Sequence, residues 1–399
     1  MNETVSLLCD LIRYPSTSGR EQEVMKFVAQ AFEPVVDSVE LVSIPPDIVR
    51  DPDYANPLPA VREGEHWNVV AAVRGSGGGR SLILNTHADV VPPSEGQLAP
   101  FDPVFDGESV HGRGACDAKG QVATIWRALK QLRAEGVRPK GDIVLHIVAE
   151  EESGGNGSLA LVRNGRVRAD AVLVAEPTDL KIVATARGAV WFRITCTGRP
   201  GHVGSPRQSV SALKSAVAVI QILEAYHDRL LAQSRGMPLY DQFEDPMPIV
   251  FGMLHAGRWP ATVPGQAVLE GVLGFLPNMT KEQVAAEMRE AIVREGDPWL
   301  RENFALEFTF RHDPYVTPPD SPLVTIMKQA VDSLGELAIV SALPASSDAW
   351  FYSNQLKIPT ITFGPGKLGD AHTSHEKISV ADLERGSDIL VAFIKAYVQ

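Results

Sequence analysis

The chain has 399 residues, 44% hydrophobic and 22% charged, with a formal net charge of -12. That length exceeds one ordinary core and predicts two domains, while the acidic balance, with no basic run, excludes nucleic acid as a partner. Three widely spaced cysteines (Cys9, Cys116, Cys196) exclude a disulfide framework, and no apolar run reaches the roughly 20 residues of a membrane span.

The opening residues carry no basic segment followed by a long apolar stretch, so the cytoplasm is the expected compartment. Val5, Leu8 and Ile12 recur on a helical period that Pro15 ends, and Val24, Phe27, Val28 and Phe32 mark a second helix. Residues 45–62, rich in Pro and Asp, read as a loop. Strands over 68–73 and 81–84 flank the glycine run 75–79. That run lacks the Lys-Ser/Thr ending of a phosphate loop, so a hairpin turn is expected there.

From Leu82 an apolar strand ends in His87-Ala-Asp89, two polar side chains projecting to one side of an extended chain. Alone such a pair is more often structural; after a core strand it fits a metal ligand with the carboxylate orienting the imidazole. Gly112-Arg-Gly-Ala-Cys-Asp117-Ala-Lys-Gly120 then leads into a helix over 122–132. Asp117 is either a helix cap or a carboxylate aimed from the tight turn. A third apolar strand, 143–149, stops in Glu150, Glu151 and Glu152 followed by glycine. Three adjacent carboxylates at a strand end form a solvated loop, or else meet cations. A fourth strand, over 171–175, ends in Glu176-Pro177. Strands alternating with helices predict a parallel sheet covered on both faces, whose ligands collect at the carboxyl ends of the strands.

From Arg187 the pattern changes to strand, helix, strand, strand, helix, strand, a compact α+β module with a four-stranded antiparallel sheet and two helices on one face. After a proline-rich stretch (314–322) the α/β texture returns, with a helix over 323–334, strands over 337–340 and 358–363, and a last helix from Val380. The fold class is therefore α/β, mostly parallel sheet, over residues 1–186 and 313–399, with the α+β module 187–312 inserted. Near the end stand Asp370-Ala-His372-Thr-Ser-His375-Glu376.

His87-x-Asp89, Gly112-Arg-Gly-x-x-Asp117, Glu151-Glu152-x-Gly-Gly, Ala175-Glu176-Pro, Gly201-His202 and Ala371-His372-x-x-His-Glu376 together resemble the co-catalytic zinc aminoacylase family. Acetylornithine deacetylase, succinyl-diaminopimelate desuccinylase and carboxypeptidase G belong to it. The resemblance implies a zinc-peptidase-like catalytic domain with two divalent metal ions, zinc first and cobalt or manganese as alternatives. His87 and Glu176 would hold one ion, Glu152 and His372 the other, and Asp117 would bridge them. It implies further that Asp89 orients His87 and that Glu151 is the general acid/base. His202, on an inserted lid and dimerisation domain, would reach the active site of a partner subunit in a homodimer. His375 falls at the variable position of its motif.

The expected reaction is hydrolysis of the amide of a small N-acylated amine or amino acid, as in acetylornithine deacetylase, with N-formyl and N-succinyl amides as further candidates. A metallocarboxypeptidase or dipeptidase is the alternative within the family, and a non-catalytic metal scaffold the alternative outside it. Members acting on amino-acid derivatives carry an Asn and an Arg where this chain has Ala261 and Gly274. Their loss weakens the case for a substrate with a free carboxylate, unless Arg187 or Arg258 replaces the missing grip.

Overall fold

The computed structural model describes residues 2–56, 65–202, 204 and 208–399. The chain forms two compact units, Met1–Thr185 with Val316–Leu343 and Ser347–Gln399, and Ala186–Tyr315 with Pro344–Ser346.

The first unit is α/β. Its sheet runs in the order Ser38–Ser43, Trp67–Val73, Ile143–Val148, Leu82–His87, Ala171–Val174, Thr360–Thr362, Ile182–Ala186. Ile143–Val148, Leu82–His87, Ala171–Val174 and Thr360–Thr362 are mutually parallel, and the pairs towards the margins are antiparallel. All six residues of Leu82–His87 are buried, as a strand covered on both faces requires. Helix Glu3–Ile12 opens on Asn2, whose side chain accepts the N–H of Val5 at 2.9 Å. Helix Lys119–Ala134 turns Val122, Ile125, Leu129 and Leu132 into the core and packs on the last helix, Val380–Tyr397.

The glycine run is not a hairpin. Trp67–Val73 pairs with Ser38–Ser43 and Ile143–Val148, so Ile143–Val148 separates it from Leu82–His87. The glycines serve close backbone approach instead. A Cβ on Gly75 would stand 2.2 Å from Lys140 O, and one on Gly79 2.4 Å from Val398 O. The strand expected over 337–340 begins later, at Val340–Leu343, because Leu337 is exposed.

The second unit is an antiparallel sheet in the order Ile249–Ala256, Gln266–Phe275, Gly188–Thr197, Phe304–His312. Helices Ala212–Gln233 and Lys281–Glu295 pack on it and on each other. Lys281–Glu295 starts with a reciprocal cap: Thr280 Oγ1 accepts from Gln283 N and Gln283 Oε1 accepts from Thr280 N. The edge strand Ile249–Ala256 leaves Val250, Met253 and Leu254 exposed.

Candidate active site

Three parallel neighbours place three functional groups side by side. His87 ends Leu82–His87, Glu151 and Glu152 follow Ile143–Val148, and Glu176 follows Ala171–Val174. Asp117 enters two residues before helix Lys119–Ala134, and His372 arrives after Thr360–Thr362.

The five meet. Asp117 turns one oxygen to each imidazole, with Oδ1 3.0 Å from His87 Nε2 and Oδ2 3.4 Å from His372 Nε2. Glu176 Oε1 is 3.8 Å from His87 Nε2, and Glu152 Oε1 is 3.0 Å from His372 Nε2. His87, Asp117 and Glu176 form one group whose ligand atoms lie within 4.8 Å of one another; Asp117, Glu152 and His372 form a second. His375 is exposed and belongs to neither.

Asp89 is wholly buried. Its main-chain oxygen lies 3.0 Å from His87 Nδ1, which turns Nε2 towards Asp117. The turn after Ile143–Val148 is strained at Glu150, which has a φ of 58°, and the loop after Thr360–Thr362 is strained in the same way at His372, with a φ of 60°. Asn156 Nδ2 donates to Glu150 Oε2 at 3.0 Å and holds that turn.

The crowded carboxylates need protons or cations to offset their charge. Burial first, then the charges of Asp348, Glu176 and Glu152, push Glu151 well above the usual carboxylate range against the pull of His87. Burial also raises Glu176, and it lifts Glu152 to about 7 with help from the Asp117 charge. Hydrogen bonds from His372 and His87 outweigh burial at Asp117 and hold it below its ordinary value. Carboxylates and imidazoles converging on two slots, buried around His87 and open to solvent at His372, with a shared carboxylate between them, fit two divalent ions of the zinc, manganese or cobalt type.

Sequence reasoning gave Glu376 no role, and Arg113 none beyond its place in the Asp117 motif. The Glu376 carboxylate accepts the N–H groups of Gly114 at 3.0 Å, Cys116 at 3.0 Å and Asp117 at 3.1 Å. Arg113 Nη1 donates to it at 2.5 Å. Arg113 Nη2 donates to Ser94 Oγ at 2.7 Å, and Ser94 Oγ donates to His372 O at 2.7 Å. One buried ion pair thus ties the Asp117 loop to the backbone of His372. The available signal was the carboxylate's place in the terminal motif, four residues after His372.

His202 belongs to the second unit. The short strand Gly201–His202 pairs with Thr262–Val263, and the exposed imidazole accepts the N–H of Gly204 at 3.1 Å. In the same unit Arg187 lies against Gly274, where a Cβ would stand 2.7 Å from its Nη1. Arg258 is exposed.

An α/β domain with this cage at its strand ends is the frame of a metal-dependent hydrolase of amide bonds. Residues 83–396 match the family described as Peptidase family M20/M25/M40, and the chain belongs to that family. It is 28% identical over 356 residues to an N-formyl-4-amino-5-aminomethyl-2-methylpyrimidine deformylase of Halalkalibacterium halodurans, covering 82% of each chain. It is 26% identical to an acetylornithine deacetylase of Vibrio atlanticus over 96% of this chain and 93% of that one. Among solved structures, an M20 family metallo-carboxypeptidase of Sulfolobus solfataricus superposes with a TM-score of 0.79 at 17% identity, covering 100% of this chain and 99% of that one.

Proposed function

We propose that this protein removes a small acyl group, formyl first, from an amine that carries no free carboxylate. Two divalent ions, zinc with cobalt or manganese as substitutes, would be held by His87, Asp117 and Glu176 and by Asp117, Glu152 and His372. When bound, the ions supply Lewis acidity to the amide carbonyl and lower the pKa of water at the site. Glu151 takes one proton of the attacking water and delivers it to the leaving nitrogen, so that the C–N bond breaks to a neutral amine and a carboxylic acid, which gives up its remaining proton to solvent. Asp89 keeps His87 in the tautomer that offers Nε2 to the ion. His202, from the inserted unit of a partner subunit, donates to the oxygen that gains charge in the tetrahedral transition state.

The observation that carries this reading is the two-sided Asp117 carboxylate, one oxygen towards each imidazole. Substrate class rests on two features pointing the same way. Ala261 and Gly274 stand where amino-acid-cleaving members grip a carboxylate, and the substrate named for the Halalkalibacterium relative, a formylated aminomethylpyrimidine, has none. A metallocarboxypeptidase or dipeptidase is the second reading, favoured by the Arg187 guanidinium over Gly274. The ion-loaded protein assayed on N-formyl, N-acetyl and N-succinyl amines and on dipeptides separates the two. Turnover confined to peptides selects the second.

Pairing through the inserted unit suits the exposed Val250, Met253 and Leu254 on its edge strand. Sedimentation of wild type and Met253→Lys tests it, a dimer and a monomer being expected. Three free, buried cysteines suit the reducing cytoplasm we assign.

A further inference from the structure

Beside the glutamate turn runs a buried polar chain that the cage does not use. Asn85 and His146 face each other in the register of two parallel strands. The Tyr352 hydroxyl lies 2.9 Å from His146 Nδ1 and accepts from Asn85 Nδ2 at 3.1 Å. Burial holds His146 down to about 4, so its ring is neutral and free to accept the tyrosine proton. Asn85 Nδ2 also donates to Ser158 Oγ at 3.2 Å, and Ser158 Oγ donates to Asp348 Oδ2 at 2.5 Å. The Asn85–Ser158 donors thus run one way, into a wholly buried carboxylate.

The other oxygen, Asp348 Oδ1, accepts no hydrogen bond among the described residues. A buried carboxylate oxygen left bare is costly and needs another reason to be there. It faces Gly155, where a Cβ would stand 2.4 Å from Oδ1 and 2.3 Å from Phe351 Cε2. Gly155 is the left-handed N-cap of helix Asn156–Arg163, and its N–H donates to Glu150 O at 2.9 Å and Glu151 O at 3.0 Å. Ser158 lies in the first turn of that helix. Asp348 therefore grips both ends of the junction between the glutamate turn and the helix.

We infer that Asp348 is a positioning residue of the hydrolysis. Clamped to Ser158 and pressed on Gly155, it fixes the turn that carries Glu151 and Glu152. The inference rests on the roles given to those two glutamates.

Asp348→Ala removes the clamp. On whichever amide the wild type cleaves, kcat should fall about a hundredfold, the scale of a small misplacement of a reacting group. KM and metal stoichiometry should keep their wild-type values, and hydrogen exchange should quicken in residues 150–158 alone. Asp348→Asn keeps an acceptor for Ser158 and the same contact with Gly155, and should restore most of kcat. An unchanged kcat in Asp348→Ala overturns the inference, as does exchange quickened throughout the unit with metal lost, or an Asn variant as slow as the Ala variant. Should Asp348→Ala not fold, Ser158→Ala takes the same measurements, with a loss of about tenfold in kcat expected. Wild type inert on every amide would overturn the assigned reaction instead, and local exchange in the variants would still decide the clamp.

Discussion

Asp89 accepts the main-chain N–H of Glu151 through Oδ1 and that of Glu152 through Oδ2, each at 3.1 Å. The same residue offers its main-chain oxygen to His87 Nδ1 at 3.0 Å. One buried residue therefore holds the imidazole of one proposed ion slot through its backbone, and through its side chain the backbone of Glu152 and of the proposed base Glu151. Asp89→Ala should weaken ion binding by about 10- to 100-fold, the usual effect of losing a partner that orients ligands. Competition with a chromophoric chelator measures this, and wild-type affinity would remove Asp89 from the cage.

Glu151 neighbours the proposed ligand Glu152 in sequence but joins neither group of candidate ligand atoms. Glu151→Gln should keep both ions and lose on the order of 10²–10⁴ in kcat, the contribution of a positioned acid/base. Metal analysis beside turnover separates a lost base from a lost ligand. Near-normal turnover would leave the proton to some other group.

Much of this was legible in the chain because ligands at strand ends follow runs of apolar residues that announce the strands. His87, Glu152 and Glu176 each close such a run, and the parallel order sets them side by side. The supports were less legible because they come from distant segments. Asp348 follows no periodic element, and the turn Phe351–Gln355 beside it has no capping signature. The strand Ser38–Ser43 was also missed, since an exposed edge strand carries little hydrophobic signal. The false hairpin had the opposite cause: neighbours in sequence were separated by a strand that arrives sixty residues later.

Without ions, protons hold the cage together. Burial and the Asp117 charge lift Glu152 to about 7, and hydrogen bonds to Asp117 and Glu152 lift His372 to about 10. Both groups hold a proton more tightly in the folded protein than in the unfolded chain. Their stabilisation is complete below the ordinary values of 4.5 and 6.5 and drains away as pH rises through the folded ones. Asp117, held low, acts oppositely and costs stability only in acid. The Tm of chelator-treated protein should therefore fall between about pH 5 and about pH 8. Added ions should reverse that slope, because their ligands must be deprotonated. Calorimetry with and without chelator checks it, and a chelated Tm that rises over this range sinks the proposal.

The pair Arg113–Glu376 is buried on both sides, with side-chain exposures of 1% and 0%. Glu376→Ala leaves a guanidinium without its carboxylate and three N–H groups of the Asp117 loop without an acceptor. The loss should be about 3–5 kcal/mol, as for other buried pairs broken on one side. Glu376→Gln, which keeps an acceptor, should lose less. Urea unfolding gives the cost, and equal midpoints for wild type and Ala would mean the pair is not the anchor of that loop.

Arg187 decides between the two substrate classes. Its Nε donates to Pro344 O at 2.7 Å and its Nη1 to Gly188 O at 3.2 Å. Burial lowers its pKa to about 10, which still leaves it charged at neutral pH. Two nitrogens are thus tied to carbonyls, as in a structural brace, while Nη2 makes no hydrogen bond among the described residues. If the group is a brace, Arg187→Met lowers Tm and leaves KM for a carboxylate-free N-formyl amine within about twofold, since no charged hydrogen bond to substrate is lost. If it grips a carboxylate, KM rises about ten- to a hundredfold for an N-acyl amino acid and stays put for its methyl ester. We expect the first pattern. The second would hand the protein to the carboxypeptidase reading, because a cation that tells acid from ester must touch the substrate itself.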